Sequence, residues 1–267
     1  MSTTLFKVNG LKGGADLPFL LGLYIMGFFV FLSKGIALGS LHGNMHAVFW
    51  GVVVGLGSWG GNVLFLSALK TGPAALTSPF VNLSSVLVIL ISVLGYGEIL
   101  SWHQWVASAV MVGALVFLPL AGGQNGSISS KAWYAYVLGA AGAAVMRNGG
   151  LKVTEEAGFS NDFILCVAYL FSMMMCLGDK WRSNWSVSGN SSVHRGLSAG
   201  VLSGIGLLCY ARSLATGPGS LAAPIFSGYG VVVVILSVVC LKARLNCREA
   251  FCLMVFLCGF FGLKILV

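Results

Sequence analysis

Nine runs of about 20 mostly apolar residues follow one another through the chain, at roughly 18–37, 46–69, 74–96, 102–121, 132–150, 161–178, 196–215, 219–241 and 248–266. A helix of about 20 apolar residues crosses the hydrocarbon core of a bilayer. Within that core only helices and closed barrels satisfy every backbone N–H and C=O. Nine helix-length runs with short connections therefore imply an all-α integral membrane protein. Composition agrees: 8% of the residues are charged and the mean hydropathy is +0.93, against about 25% charged in a water-soluble domain. The net charge of +8 does not form a nucleic-acid surface, because the 15 Lys and Arg are scattered singly between apolar runs. Such charges anchor helix ends.

The same sparseness excludes most site chemistry. The seven cysteines form no CxxC pair and no Cys/His cluster, so they read as small apolar fillers. His42, His46, His103 and His194 have no companion at ligand spacing, and no metal or other cofactor is expected. No phosphate-cradling loop or nucleophile–base constellation is present, so the chain does not read as an enzyme. The opening MSTTLFKVNG lacks the pattern of a targeting signal.

A duplication organises the spans. KTGPAALTSP (70–79) returns 145 positions later as ATGPGSLAAP (215–224). The match extends without gaps through two whole spans. Gly51, Gly55, Ser58 and Gly61 meet Gly196, Gly200, Ser203 and Gly206, and Thr71, Gly72, Pro73 and Pro79 meet Thr216, Gly217, Pro218 and Pro224. A weaker echo links 8–32 to 147–175, with small insertions. In the second half this echo follows a complete span, 132–150; in the first half only MSTTLFK precedes it. The expected plan is five helices per copy, with the first helix of the first copy missing or reduced to a stub. The copies are then 1–121 (four spans plus the stub) and 131–267 (five spans).

The segment 68–119, with Gly72-Pro73, Pro79, Gly97-Glu98 and the closing span 102–121, resembles the hallmark segment of the EamA-type drug/metabolite transporter superfamily. Its second copy, 213–237, is similar as well. The resemblance implies an inverted five-plus-five helix repeat, since an odd number of helices turns the second copy upside down in the membrane. It also implies two gates around one central site. In the second half Lys242-Ala243-Arg244 replaces the Gly-Glu element, so proton coupling by a symmetric Glu pair is not expected. Glu98 itself is expected to cap a loop at the membrane surface.

Within this plan several residues stand out. The four-residue spacing of Gly51 and Gly55, and of Gly196, Gly200 and Gly204, gives each helix a smooth face, for close packing or for rocking. Pro79 and Pro224 each remove a backbone donor at matching depth, as a structural kink or as the hinge of a cavity. Ser78, Asn82, Ser85 and Ser92 form one helical stripe, with Ala223, Ser227, Gly230 and Ser237 as counterparts. A polar face of this kind turns away from lipid. Trp59, Asn62, Tyr210 and Tyr229 are placed to share the same space. Each of these side chains has an alternative as a helix-to-helix hydrogen bond; together Trp59, Asn62, Ser78, Asn82, Ser85, Tyr210, Ser227 and Tyr229 outline a candidate transport cavity. Lys34, Lys70, Arg147 and Arg212 sit near span ends, where they either snorkel or, for Lys70, Arg147 and Arg212, contact an anionic substrate.

Signals of orientation conflict. The family plan puts ten of the 15 Lys and Arg on its non-cytoplasmic side, against the positive-inside rule. The NGS, NWS and NSS sequons (125–127, 184–186 and 190–192) fall on that same side. Function is expected to be secondary transport of a small metabolite (an amino acid, nucleoside, sugar-phosphate or similar) by alternating access. The expected partners are that substrate and the lipid bilayer, with a homodimer left open and no nucleic acid. The competing reading is a non-transporting membrane interaction protein, or a truncated relic of the transporter fold.

Overall fold

The structure, a computed structural model, describes residues 15–71, 77, 81, 84–121, 131–183, 191–228 and 247–265. Among the described residues the regular structure is helical throughout. The helices are α1 (Asp16–Leu38), α2 (Met45–Thr71), α3 (Ser84–Leu90), α4 (Trp102–Ala121), α5 (Ala132–Glu156), α6 (Asn161–Ser183), α7 (Ser191–Thr216), α8 (Gly219–Ser227) and α9 (Cys247–Ile265). A π-helical turn, Ile91–Gly95, continues α3. Each expected span coincides, in whole or in part, with one of these elements. Four of them, α1, α2, α6 over Asn161–Asp179 and α7, are long and apolar enough to cross a membrane. The protein is a multi-pass integral membrane protein. The N-terminal stub before residue 15 and the greater part of span 219–241 lie outside the described residues.

Short polar residues set the helix ends. Asn44 Oδ1 accepts the Ala47 N–H at 2.9 Å as α2 begins. Ser101 and Gln104 form a reciprocal capping pair before α4, each side chain bonding the other's backbone N–H. Helix α1 stops at Gly39, whose φ of 62° lets the Ser40 N–H return to the Gly35 carbonyl.

The helices fall into two compact units, and each draws on both sequence copies. The first comprises Met1–Asn62 and Gly150–Ala215; the second comprises Val63–Gly149 and Thr216–Val267.

In the first unit, α1 and α6 are equivalent helices of the two copies, and they pack on each other antiparallel. Lys34, late in α1, meets Asp162 at the start of α6, while Tyr24 meets Tyr169 further in. The glycine faces then exchange partners. Gly51 and Gly55 of α2 lie against Ile164, Val167 and Ala168 of α6, in the other copy. Gly196, Gly200 and Gly204 of α7 lie against Phe19, Leu23 and Val30 of α1, again in the other copy. At Gly55, Gly196 and Gly200 the neighbours are backbone atoms, so there is no room for a Cβ. In lipid, where tails are as apolar as the side chains, this closeness is what holds helices together.

The second unit repeats the pattern. Equivalent helices α4 and α9 run antiparallel, with Gly259 against Ala107 and Met111 while Phe251 and Phe117 share the far end of a groove. Helices α3 and α8, different parts of the corresponding spans 74–96 and 219–241, meet through Val88, Ile89 and Ala223, with Val93 and Leu100 packed alongside. Trp133, at the start of α5, is buried among Ala68, Tyr136 and Val137 and donates its Nε1–H to Thr77 Oγ1 at 3.0 Å. Antiparallel packing of equivalent helices is the arrangement required of two copies inserted in opposite directions.

Candidate transport site

Polar groups converge in the first unit on two tyrosines. Tyr24 and Tyr169 are 145 positions apart, and their rings meet edge to face with centroids 5.4 Å apart. Gly27 makes room for the Tyr169 ring, and Phe31 closes on it from the other side at 4.7 Å. Each tyrosine turns its hydroxyl to the equivalent serine of the next helix. Tyr24 Oη donates to the Ser58 carbonyl oxygen at 3.0 Å, and Tyr169 Oη pairs with Ser203 Oγ at 3.4 Å. A phenol inside a bilayer needs such a partner, since no water competes for it.

One side of this pair is much more polar than the other. Asn62 donates from Nδ2 to Tyr24 Oη at 2.9 Å; the residue 145 positions on is Leu207, which is buried and apolar. Trp59 has Gly204 as its counterpart. Among the described residues Ser58 Oγ is buried without a hydrogen-bond partner, and Trp59 Nε1, beside the Cys176 sulfur, has none of ordinary geometry. Buried groups left in this condition cost about 1–3 kcal/mol each.

The other residues singled out in the sequence are distributed as follows. Tyr210 is buried on α7 in the first unit. Ser85 is buried on α3 in the second unit, and Pro224 is buried inside α8, with Ser227 closing that helix. Ser78, Pro79, Asn82 and Tyr229 lie outside the described residues. Of the three cations, Lys70 and Arg212 are exposed, and Arg147 donates from Nε to Asn148 Oδ1 at 3.1 Å. The sequence did not single out Tyr24 or Tyr169; their 145-residue spacing was the available signal. It also gave no sign of the Trp133–Thr77 bond.

Lys34 is not a solitary charge at the end of a span. It donates to Asp162 Oδ1 at 2.6 Å, and Ser40 Oγ donates to Asp162 Oδ2 at 3.1 Å. Beyond the apolar part of α5, buried Lys152 pairs with Glu156, and Asn161 Nδ2 donates to Glu155 Oε2 at 2.6 Å. Burial pushes the Glu155 carboxyl above its ordinary 4.5; Glu156 and Asp162 add to this and Lys152 opposes it. A carboxyl raised by folding contributes stability that is fully present below about 4.5 and lost as pH rises through its folded-state value. Glu155→Gln is therefore expected to raise the melting temperature at neutral pH, with the gain shrinking on acidification toward pH 4.5. Parallel melts of variant and wild type across that range check it.

In the second unit Glu98 reaches the start of α8. Its carboxylate accepts from the Gly219 N–H at 2.8 Å, the Ser220 N–H at 2.9 Å and the Ser220 hydroxyl at 2.5 Å. Pro218, at the N-cap position, offers no side-chain cap of its own. Glu98 caps a helix of the opposite copy. The positive φ of Gly97, 66°, swings the chain out of the π-helical turn toward it.

The arrangement matches known proteins at the level of the whole chain. A solved structure described only as "Crystal structure of protein" shares the fold, with a TM-score of 0.81 over 99% of this chain and 93% of that one, at 20% identity. No curated protein matches the sequence. The EamA-like transporter family matches over residues 16–120 and 131–265. With two matched segments that take in nearly all of the chain, helices of both copies packed antiparallel, and four helices among the described residues long and apolar enough to cross a membrane, this protein belongs to the EamA-like transporter family, membrane transporters of the drug/metabolite type that act on small molecules.

Proposed function

We propose that the protein is a secondary transporter that moves a small polar metabolite by alternating access, with 1–121 and 131–267 as two inverted copies. The observation that carries this reading is the exchange of partners in the first unit. The glycine face of α2 rests on α6 and that of α7 rests on α1, so equivalent contacts recur in both copies. Two arrangements of nearly equal energy are available to a molecule built this way, and a substrate that binds both in passing lets it cycle between them.

The groups proposed to meet the substrate are Trp59, Asn62, Tyr210, Ser78, Asn82, Ser85, Ser227 and Tyr229, to which the Tyr24–Ser58 pair is added. Pro79 and Pro224 serve as kinks. Lys70, Arg147 and Arg212 are the cations proposed to attract an anionic substrate. The Ser58 hydroxyl, buried without a partner, and the Trp59 N–H, which faces only the Cys176 sulfur, favour a substrate with several hydrogen-bonding groups, in the range of an amino acid, nucleoside or sugar-phosphate.

Counterflow in proteoliposomes, run with a panel from those three classes, tests the reading. At least one class should exchange. Asn62→Ala should lower exchange about tenfold or more, the loss of one or two hydrogen bonds to substrate, while the melting temperature moves little. Absence of exchange with every class in folded protein would remove the proposal. An equal loss of stability and exchange in Asn62→Ala would make Asn62 a packing residue of Tyr24.

A further inference from the structure

The two side chains that tie Glu98 to the start of α8 are not repeated in the other copy of the sequence. Adding 145 to Glu98 gives Ala243, and subtracting 145 from Ser220 gives Ala75. Both side chains of the contact are replaced by alanine, although the Thr-Gly-Pro motif is kept in the sequence at 71–73 and at 216–218. The carboxylate and the hydroxyl that donates to it stand together in one copy and are both missing from the aligned positions of the other.

This matters because of what symmetry does to energy. When two arrangements of a molecule are related by exchange of its copies, a contact present in both copies is remade as often as it is broken. It leaves the balance unchanged. Only a contact present once biases the equilibrium, by the difference in free energy it makes between the two arrangements. A carboxylate taking two backbone N–H groups and a hydroxyl is a strong contact of this kind. Its surroundings suit a contact that forms and breaks. The π-helical turn Ile91–Gly95 and the positive-φ Gly97 lie just before Glu98, and Pro224 interrupts α8 four residues after Ser220. Irregular backbone of both sorts is where helices bend.

We propose that Glu98 is a one-sided latch, a positioning residue that grips Gly219 and Ser220 and biases the transporter toward the arrangement seen here. The inference rests on the alternating-access reading in supposing a second arrangement. In that arrangement Glu98 releases Gly219 and Ser220 and the turn at 216–218 opens, while the aligned segment 68–79 of the other copy is expected to exchange less.

Hydrogen exchange read by mass spectrometry on the full chain in lipid nanodiscs tests it, following the turn segments 68–79 and 213–224. Glu98→Gln keeps the shape and an acceptor oxygen and removes the charge. It should raise exchange at 213–224 and lower it at 68–79, changing their ratio by about tenfold, equivalent to about 1.4 kcal/mol. The double variant Ala75→Ser/Ala243→Glu supplies the absent latch on the other side and should move the ratio in the same direction with Glu98 intact. Exchange that rises at 213–224 alone in Glu98→Gln would overturn the proposal and leave Glu98 a helix cap. Should Glu98→Gln exchange throughout from misfolding, the double variant decides, and an unmoved ratio there overturns the proposal. A shifted ratio in protein with no counterflow keeps the latch and removes the transport reading. Counterflow with an unmoved ratio does the reverse.

Discussion

Gly196→Ala and Gly200→Ala are each expected to lower the thermal stability of the protein sharply, whereas Gly206→Ala on the same helix is not. A Cβ on Gly196 would collide with the Phe19 carbonyl, and one on Gly200 with the Leu23 carbonyl and the Met26 side chain. Carbonyls in a helix cannot rotate away, so α1 and α7 must separate. Forced separation of this kind costs about 1–3 kcal/mol per site, occasionally more. Gly206 has nothing within 4 Å of such a Cβ. There alanine only improves helix propensity, by up to about 1 kcal/mol. Gly55→Ala makes the corresponding test in the other copy, where the Cβ would meet the Ala168 carbonyl at 2.7 Å. Melting of the four variants in one detergent gives the answer. Equal shifts at Gly196 and Gly206 would mean that the close approach of α1 and α7 carries no stability.

The second large effect is expected at Lys34. With side chains 29% and 11% exposed, Lys34 and Asp162 form a partly buried ion pair that ties the end of α1 to the start of α6. Lys34→Met removes the cation and leaves Asp162 with the Ser40 hydroxyl. Removing one partner of a fully buried pair costs 3–5 kcal/mol. Partial exposure of Lys34 brings the expected loss to about 2 kcal/mol. Lys34→Met/Asp162→Leu should recover most of it, because a well-packed apolar pair is often as stable as the ions it replaces. A double-mutant cycle by thermal or denaturant unfolding reads both numbers. Strict additivity of the two single variants would show that the pair contributes nothing.

Much of the architecture was legible in the chain because membrane helices are local objects. The apolar runs that become α1, α2, α6 and α7 satisfy their own backbone groups, so their existence does not depend on their neighbours. The duplication could likewise be counted directly, and it led to the glycines that bring α2 onto α6 and α7 onto α1. Which surface each helix turns inward was harder to see. In water an apolar stripe marks the buried face, but in lipid both faces of a span are apolar. Asn62 stood out as a polar residue, yet its tie to Tyr24 needed the fold of α1 back along α2. Glu98 was expected to cap a loop; its partners are 121 and 122 positions away in the other copy.

The sequence by itself determined the class of protein, its spans, its two copies and its transporter family, since each follows from composition, helix-length patterning or internal and family similarity. Tertiary structure alone decided that equivalent helices pack antiparallel on one another, that Tyr24 meets Tyr169, that Lys34 is paired, and that Glu98 holds α8. Those contacts depend on where one helix is laid against another. In a bilayer that choice is made by close backbone approach and by a few buried polar bonds, which have meaning only once both partners are in place.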